Sequence, residues 1–80
     1  MLVKLVGDND RTVVARVPET NLPKVGNRFV VPNTAVYTKC GGESMVGMDL
    51  RVERSWLSRY NGCSITAFAV DTDLWNPPVA

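Results

Sequence analysis

The sequence predicts an all-β protein, built as a small antiparallel barrel or a strongly bent sheet of five to six strands. Three observations lead there. Branched apolar residues recur at alternate positions, clusters of Gly, Pro, Asn and Asp divide the chain into short segments, and 80 residues leave room for one domain. We expect a single β domain over residues 1–73 and an extended, proline-rich tail over residues 74–80.

The first two strands are predicted to form a hairpin within residues 1–17. Val3 and Leu5 occupy alternate positions before the stretch GDND, and Val13 and Ala15 do so after it. Alternating apolar residues on both sides of a Gly/Asp/Asn cluster are a hairpin signal. This hairpin is therefore the first expected unit of the sheet.

The stretch NLPKVGNRFVVPN then interrupts and restarts the strand pattern. We expect Leu22 and Val25 to fold back against the sheet and close one end of the core. A short strand follows over residues 27–31, with Phe29 and Val31 on one face, and a proline ends it because proline has no N–H to donate. Such a crossover into a short strand is typical of small closed or half-closed barrels.

The second half of the chain is predicted to contain a further strand over residues 33–40 and then a long hairpin. In residues 45–57 four apolar side chains occupy alternate positions, which favours a strand. The alternative is an α+β fold with a helix at about 45–60. Residues 58–62 form the expected loop, and the return strand over 63–71 is apolar on both faces, as central strands are.

Composition argues against several classes of function. The net charge is +1, and the chain contains no histidine, which removes the commonest general base and the commonest transition-metal ligand. We expect a protein that is not an enzyme and that needs no cofactor or metal. Cys40 and Cys63 are predicted to be small apolar residues of the interior, with a single disulfide as the alternative.

Hydropathy and the N-terminal residues bear on location. No run of 18 apolar residues is present, so no membrane-spanning helix is expected. The first ten residues lack the basic region and long apolar stretch of a secretion signal, which indicates a cytoplasmic protein.

The stretch RVERSWLSRYNG carries the strongest candidate for a binding site. Arginine beside tryptophan and tyrosine is typical of protein interfaces, and also of surfaces that stack on single-stranded nucleic acid. The competing interpretation is a core tryptophan with arginines paired to nearby acids. The candidate residues include two from the preceding predicted strand: Arg51, Arg54, Trp56, Arg59, Tyr60, Tyr37 and Lys39.

The tail adds one more candidate. Trp75 stands just before Pro77 and Pro78, which prevent further regular structure. We favour an interpretation in which Trp75 folds back on the barrel, and the alternative is that it docks on another chain.

The segments VPETNLPKVGNRF and LRVERSW resemble those of small barrel proteins found on phages and other mobile elements. The resemblance implies an SH3-like or OB-like barrel and, for some such proteins, binding to a host or structural protein. It assigns no functional residue in this chain.

The sequence therefore predicts a binding module that acts through a protein partner or through self-association. A nucleic-acid-binding barrel is the first alternative, although the near-neutral charge argues against it. A small-molecule binder that uses the barrel mouth is the second. No membrane partner is expected.

Overall fold

The structure is a computed structural model, and it describes residues 1–7, 11–39 and 45–71, with the backbone alone for residues 35–39. The described part is nearly all β, and a short 3-10 helix spans Glu19–Asn21. The predicted tail, Trp75 and Cys40 lie outside the described residues. The strands are β1 (Leu2–Val6), β2 (Thr12–Arg16), β3 (Arg28–Val30), β4 (Ala35–Lys39), β5 (Asp49–Tyr60) and β6 (Cys63–Asp71).

These six strands form one sheet in the order β3-β5-β6-β1-β2-β4, curled into a half-barrel. The predicted bent sheet is therefore confirmed. Four of the five strand pairs in the described chain are antiparallel, and the pair between β1 and β6 is parallel. The sheet is thus mixed, because the chain returns to place its sixth strand beside its first.

The hydrophobic core lies on the concave side of the sheet. Alternate residues of the first two strands point into it, as the predicted hairpin requires: Val3 and Leu5 from β1, and Val13 and Ala15 from β2. Phe29 and Val31 also lie in the core, as expected, and so do Met45, Met48, Leu50, Val52, Phe68 and Val70. The buried apolar surface of this face is the main source of stability.

The residues that close the end of the core differ in part from those that the sequence suggested. Leu22 packs against the core, but Val25 is 55% exposed, so the prediction that it closes the core is wrong. Met45 is fully buried instead. Backbone hydrogen bonds between Val31 and residues 47 and 48 hold that segment against the end of β3.

The long hairpin of β5 and β6 is longer than predicted. The helix at about 45–60 is absent from the described chain, since residues 49–60 form one continuous strand. The predicted loop over 58–62 is reduced to Asn61 and Gly62, which have φ angles of 51° and 78°. Positive φ at both central residues is the requirement of a type I′ turn, whose twist matches that of the strands.

A β-bulge interrupts β5 between Val52 and Arg54, so that Glu53 has no partner in β6. The bulge lies close to the point where β3 ends, since β3 pairs only with residues 49–51 of β5. Beyond it β5 continues to Tyr60 with β6 as its one described neighbour.

Candidate functional site

The far half of β5 presents the predicted cluster on the side of the sheet opposite the core, here called the outer face. Arg54, Trp56 and Ser58 pair with Ala69, Ala67 and Ile65 of β6. None of these β6 residues belongs to the core cluster, whereas Phe68 and Val70 do. The two-residue period of a strand therefore turns Arg54, Trp56, Ser58 and Tyr60 to the outer face.

Arg54 and Trp56 are in direct contact on this face. The guanidinium carbon of Arg54 lies 4.9 Å from the centroid of the Trp56 ring. A cation at that distance is attracted by the negative face of the ring, and the contact also holds both side chains in one orientation. Trp56 is half-buried and so presents part of its ring to a partner.

Lys4 approaches the same cluster from β1. Its Nζ donates a hydrogen bond of 3.3 Å to Oγ of Ser58. Lys4 and Trp56 both pair with Ala67, from opposite sides. Ala67 is fully buried although it faces away from the core, as expected where longer side chains on both sides lie over it.

These residues define a surface that we call the hairpin patch: Lys4, Arg54, Trp56, Ser58 and Tyr60. No described carboxylate lies within ion-pair distance of Lys4 or Arg54. The patch thus combines two aromatic rings with two basic side chains that have no described acidic partner.

The other end of the hairpin has the opposite character, because its cations are paired. The Arg51 guanidinium lies 2.9 Å from Glu53 and 3.4 Å from Asp71, and Arg28 lies 3.3 Å from Asp49. The hydrogen bond to Glu53 is the main cause that raises the pKa of Arg51. Arg51 is therefore engaged within the molecule.

A cavity of about 480 Å³ adjoins the patch at the tip of the hairpin. Apolar side chains dominate its lining, and two of them are well exposed: Met1 at 56% and Leu57 at 74%. The lining residues are Met1, Leu2, Leu57, Tyr60, Asn61, Cys63, Ser64, Ile65 and Thr66. The cavity is large enough for an apolar side chain of a partner.

Not every predicted site residue joins this patch. Arg59 pairs with Ser64 on the other face of the hairpin. Tyr37 and Lys39 belong to β4, which pairs with β2, so that four strand spacings, roughly 19 Å along the sheet, separate β4 from β5. The expectation that β4 neighbours the long hairpin is wrong.

Sequence reasoning missed Lys4 and the cavity residues Met1 and Leu57. A lysine inside an otherwise apolar strand was the available signal for Lys4. Its meaning depended on the parallel pairing of β1 with β6, which brings residue 4 beside residue 67. A pattern within a few neighbouring residues cannot indicate that two segments so far apart in the sequence will pair.

The part of the chain described gives no support to a metal site, to a buried Cys63 or to a membrane-spanning helix. No group of three His, Cys, Asp or Glu residues within it could hold a metal ion. Cys63 is exposed and a free thiol, so its predicted role as an interior residue is wrong. Among the described residues no helix is long and apolar enough to span a membrane.

Comparison with known proteins adds no family to this description. No protein-family model, curated protein or solved structure matches the chain. The resemblance to small barrel proteins of phages and mobile elements therefore stays a prediction, and any function has to be argued from the geometry of the hairpin patch.

Proposed function

We propose that this protein is a non-enzymatic binding module whose hairpin patch and adjoining cavity recognise another protein. The observation that carries the proposal is the stack of the exposed Arg54 on the half-buried Trp56, which lies beside an apolar cavity and has no carboxylate partner among the described residues. Tryptophan, tyrosine and arginine are the residue types that dominate binding energy at protein interfaces.

The geometry supports different roles for the cavity and for the two basic side chains of the site. The cavity next to Leu57 and Tyr60 accepts an apolar side chain of the partner. Arg54 and Lys4 then meet acidic or carbonyl groups around it, since both cations lack a described acidic neighbour. A partner with an apolar residue flanked by acids matches this surface.

Cys63 offers a direct test because it is exposed, carries a free thiol and lines the cavity. With Cys40→Ser in place, a benzophenone maleimide on Cys63 is irradiated in a lysate of the source organism. We expect one discrete adduct whose mass differs from that of two copies of this chain. The matched control carries the probe on Val25→Cys, with both native cysteines changed to serine.

The adduct should disappear in Arg54→Ala and Trp56→Ala proteins that keep a native circular dichroism spectrum. An adduct of equal yield from position 25 would contradict the proposal. If the only adduct has the mass of two identical chains, that result would also contradict it, because the patch would then serve self-association alone.

Nucleic acid is the second candidate, since Lys4 and Arg54 lie on the same face of the sheet as the half-buried Trp56. Single-strand binding of this kind joins aromatic stacking to phosphate contacts, and its affinity falls steeply with salt. Fluorescence anisotropy of a labelled oligonucleotide at low and physiological salt distinguishes the two. On our proposal the oligonucleotide shows no salt-sensitive binding.

A further inference from the structure

The open edge of β5 carries an inference that rests on its backbone groups, although the same strand carries the hairpin patch. β3 pairs with β5 only at residues 49–51, and no strand in the described chain pairs with the same edge of β5 beyond the bulge. Residues 55–60 therefore form a strand edge without a described neighbour. Such edges are templates for pairing with another chain.

The backbone groups that point to this edge can be identified from the hairpin turn. In a two-residue turn the flanking residues, Tyr60 and Cys63, form a hydrogen-bonded pair. Alternation then directs the N–H and C=O groups of Ser55, Leu57 and Arg59 away from β6. The Val52 backbone supports this assignment, because it forms hydrogen bonds with residues 26 and 27 on the β3 side. The bulge adds one residue to β5, so the next residue whose backbone points to the same side is Ser55.

Natural edges often carry proline, lysine or a bulge that prevents pairing. The segment SWLSRY has neither proline nor lysine, and the bulge precedes it. Ser55, Leu57 and Arg59 are all exposed, Leu57 by 74%. The edge is thus accessible among the described residues, and Arg59 is the one charged side chain among the three.

We propose that a second copy of this chain occupies the edge, with the two β5 strands antiparallel about a two-fold axis that passes through Leu57. In this register Leu57 faces its own copy, and Ser55 faces Arg59. Each of the three residues exchanges two backbone hydrogen bonds with its partner, which gives six in total. All the outward-pointing groups beyond the bulge are then satisfied.

The side chains fit the same register. Arg54 stands opposite Tyr60 of the second copy and Trp56 opposite Ser58, so no cation faces another cation. Arg54, already stacked on its own Trp56, thereby gains a second aromatic ring. The two-fold axis is perpendicular to the sheet, and both hairpin patches lie on one face of the joined sheet.

The first test is the mass of the purified protein by light scattering over a range of concentrations. We expect the mass to rise from one chain to two. Leu57→Pro removes the two central hydrogen bonds without disturbing the β5–β6 ladder, since this N–H points to the edge. It should weaken the dimer by at least about tenfold, whereas Leu57→Val, which keeps the N–H, should dimerise like the parent.

A crosslinking test keeps the inference falsifiable even if Leu57→Pro does not fold. With Cys40 and Cys63 changed to serine, Leu57→Cys should oxidise to a disulfide-linked dimer, because paired Cα atoms lie about 5.5 Å apart. Ser55→Cys alone should not, since the two copies of residue 55 are four residues apart in register. Ser55→Cys mixed with Arg59→Cys should crosslink.

A parent protein that stays monomeric up to its solubility limit would overturn the inference. So would a Leu57→Pro protein that is folded and dimerises as well as the parent, or a Ser55→Cys protein that links as readily as Leu57→Cys. These outcomes concern the pure protein and leave the heterologous adduct at Cys63 as a separate result.

Discussion

Two leucines of this chain differ completely in their surroundings, and the difference decides what each contributes. Leu5 is fully buried in the core, whereas Leu57 is 74% exposed at the tip of the hairpin. A buried leucine stabilises the fold through the surface it removes from water and through its packing contacts. A leucine as exposed as Leu57 removes little surface from water and therefore contributes little to stability.

We predict that Leu5→Ala lowers the free energy of unfolding by about 2–5 kcal/mol. Leu57→Ala, the matched control, should change it by no more than about 0.5 kcal/mol. The measurement is urea denaturation at a protein concentration low enough to keep the chain monomeric. Equal losses for both variants would show that the hairpin tip is packed in solution.

At the scale of the element, the turn between β5 and β6 depends on backbone geometry and not on contacts. Gly62 has a φ of 78°, and a Cβ placed there would meet nothing within 4 Å. The cost of a side chain at this position is therefore the strain of left-handed backbone alone.

Gly62→Ala should lower the free energy of unfolding by about 1–2 kcal/mol for that reason. Asn61→Gly at the neighbouring position is the control, because glycine adopts positive φ readily, and we expect a change within about 0.5 kcal/mol. Thermal or urea unfolding measures both. A neutral Gly62→Ala would mean that the loop takes another turn type in solution.

Many of the strands could be predicted because they depend on the local alternation of apolar and polar residues. The strand over Cys63–Asp71 has the bounds that its two apolar faces indicated, and its central position follows from the same pattern. The end of β5 was missed, since the polar stretch SRY resembles a loop and becomes strand only through its pairing with β6.

The candidate site was predictable in part for the same reason. The sequence placed Arg54, Trp56 and Tyr60 together because they are close in the chain, at the predicted tip of the long hairpin. It could not supply Lys4, or separate β4 from the hairpin, because both depend on strand order. The face on which the Arg59 side chain lies depends on the register between β5 and β6, and the two-residue turn sets that register.

At the scale of the whole molecule, charge is distributed unevenly although the net charge is only +1. The described ion pairs gather where β3, β5 and β6 meet, and the cations of the hairpin patch lie apart from them. The surface pairs are each exposed and screened by solvent, so they contribute little to stability.

The pH dependence of stability follows from the same distribution. Glu53 raises the pKa of Arg51, which already ionises far above neutrality, so its contribution is fully present at lower pH and is lost only at strongly alkaline pH. We therefore predict that the parent and Arg51→Gln show parallel stability profiles between pH 6 and 9 in urea titrations. Divergence of the two profiles within that interval would contradict this account of Arg51.

The parallel pairing of β1 with β6 has a consequence for biosynthesis. While the chain is still being translated, β1 can pair with β2, but its other edge and the apolar side chains beneath it have no cover until residues 63–71 have left the ribosome. The nascent protein passes through a stage in which an incomplete sheet exposes its apolar face to water or to a chaperone. The native sheet is completed in one late step, when β6 pairs with β1 and β5, which were both synthesised before it.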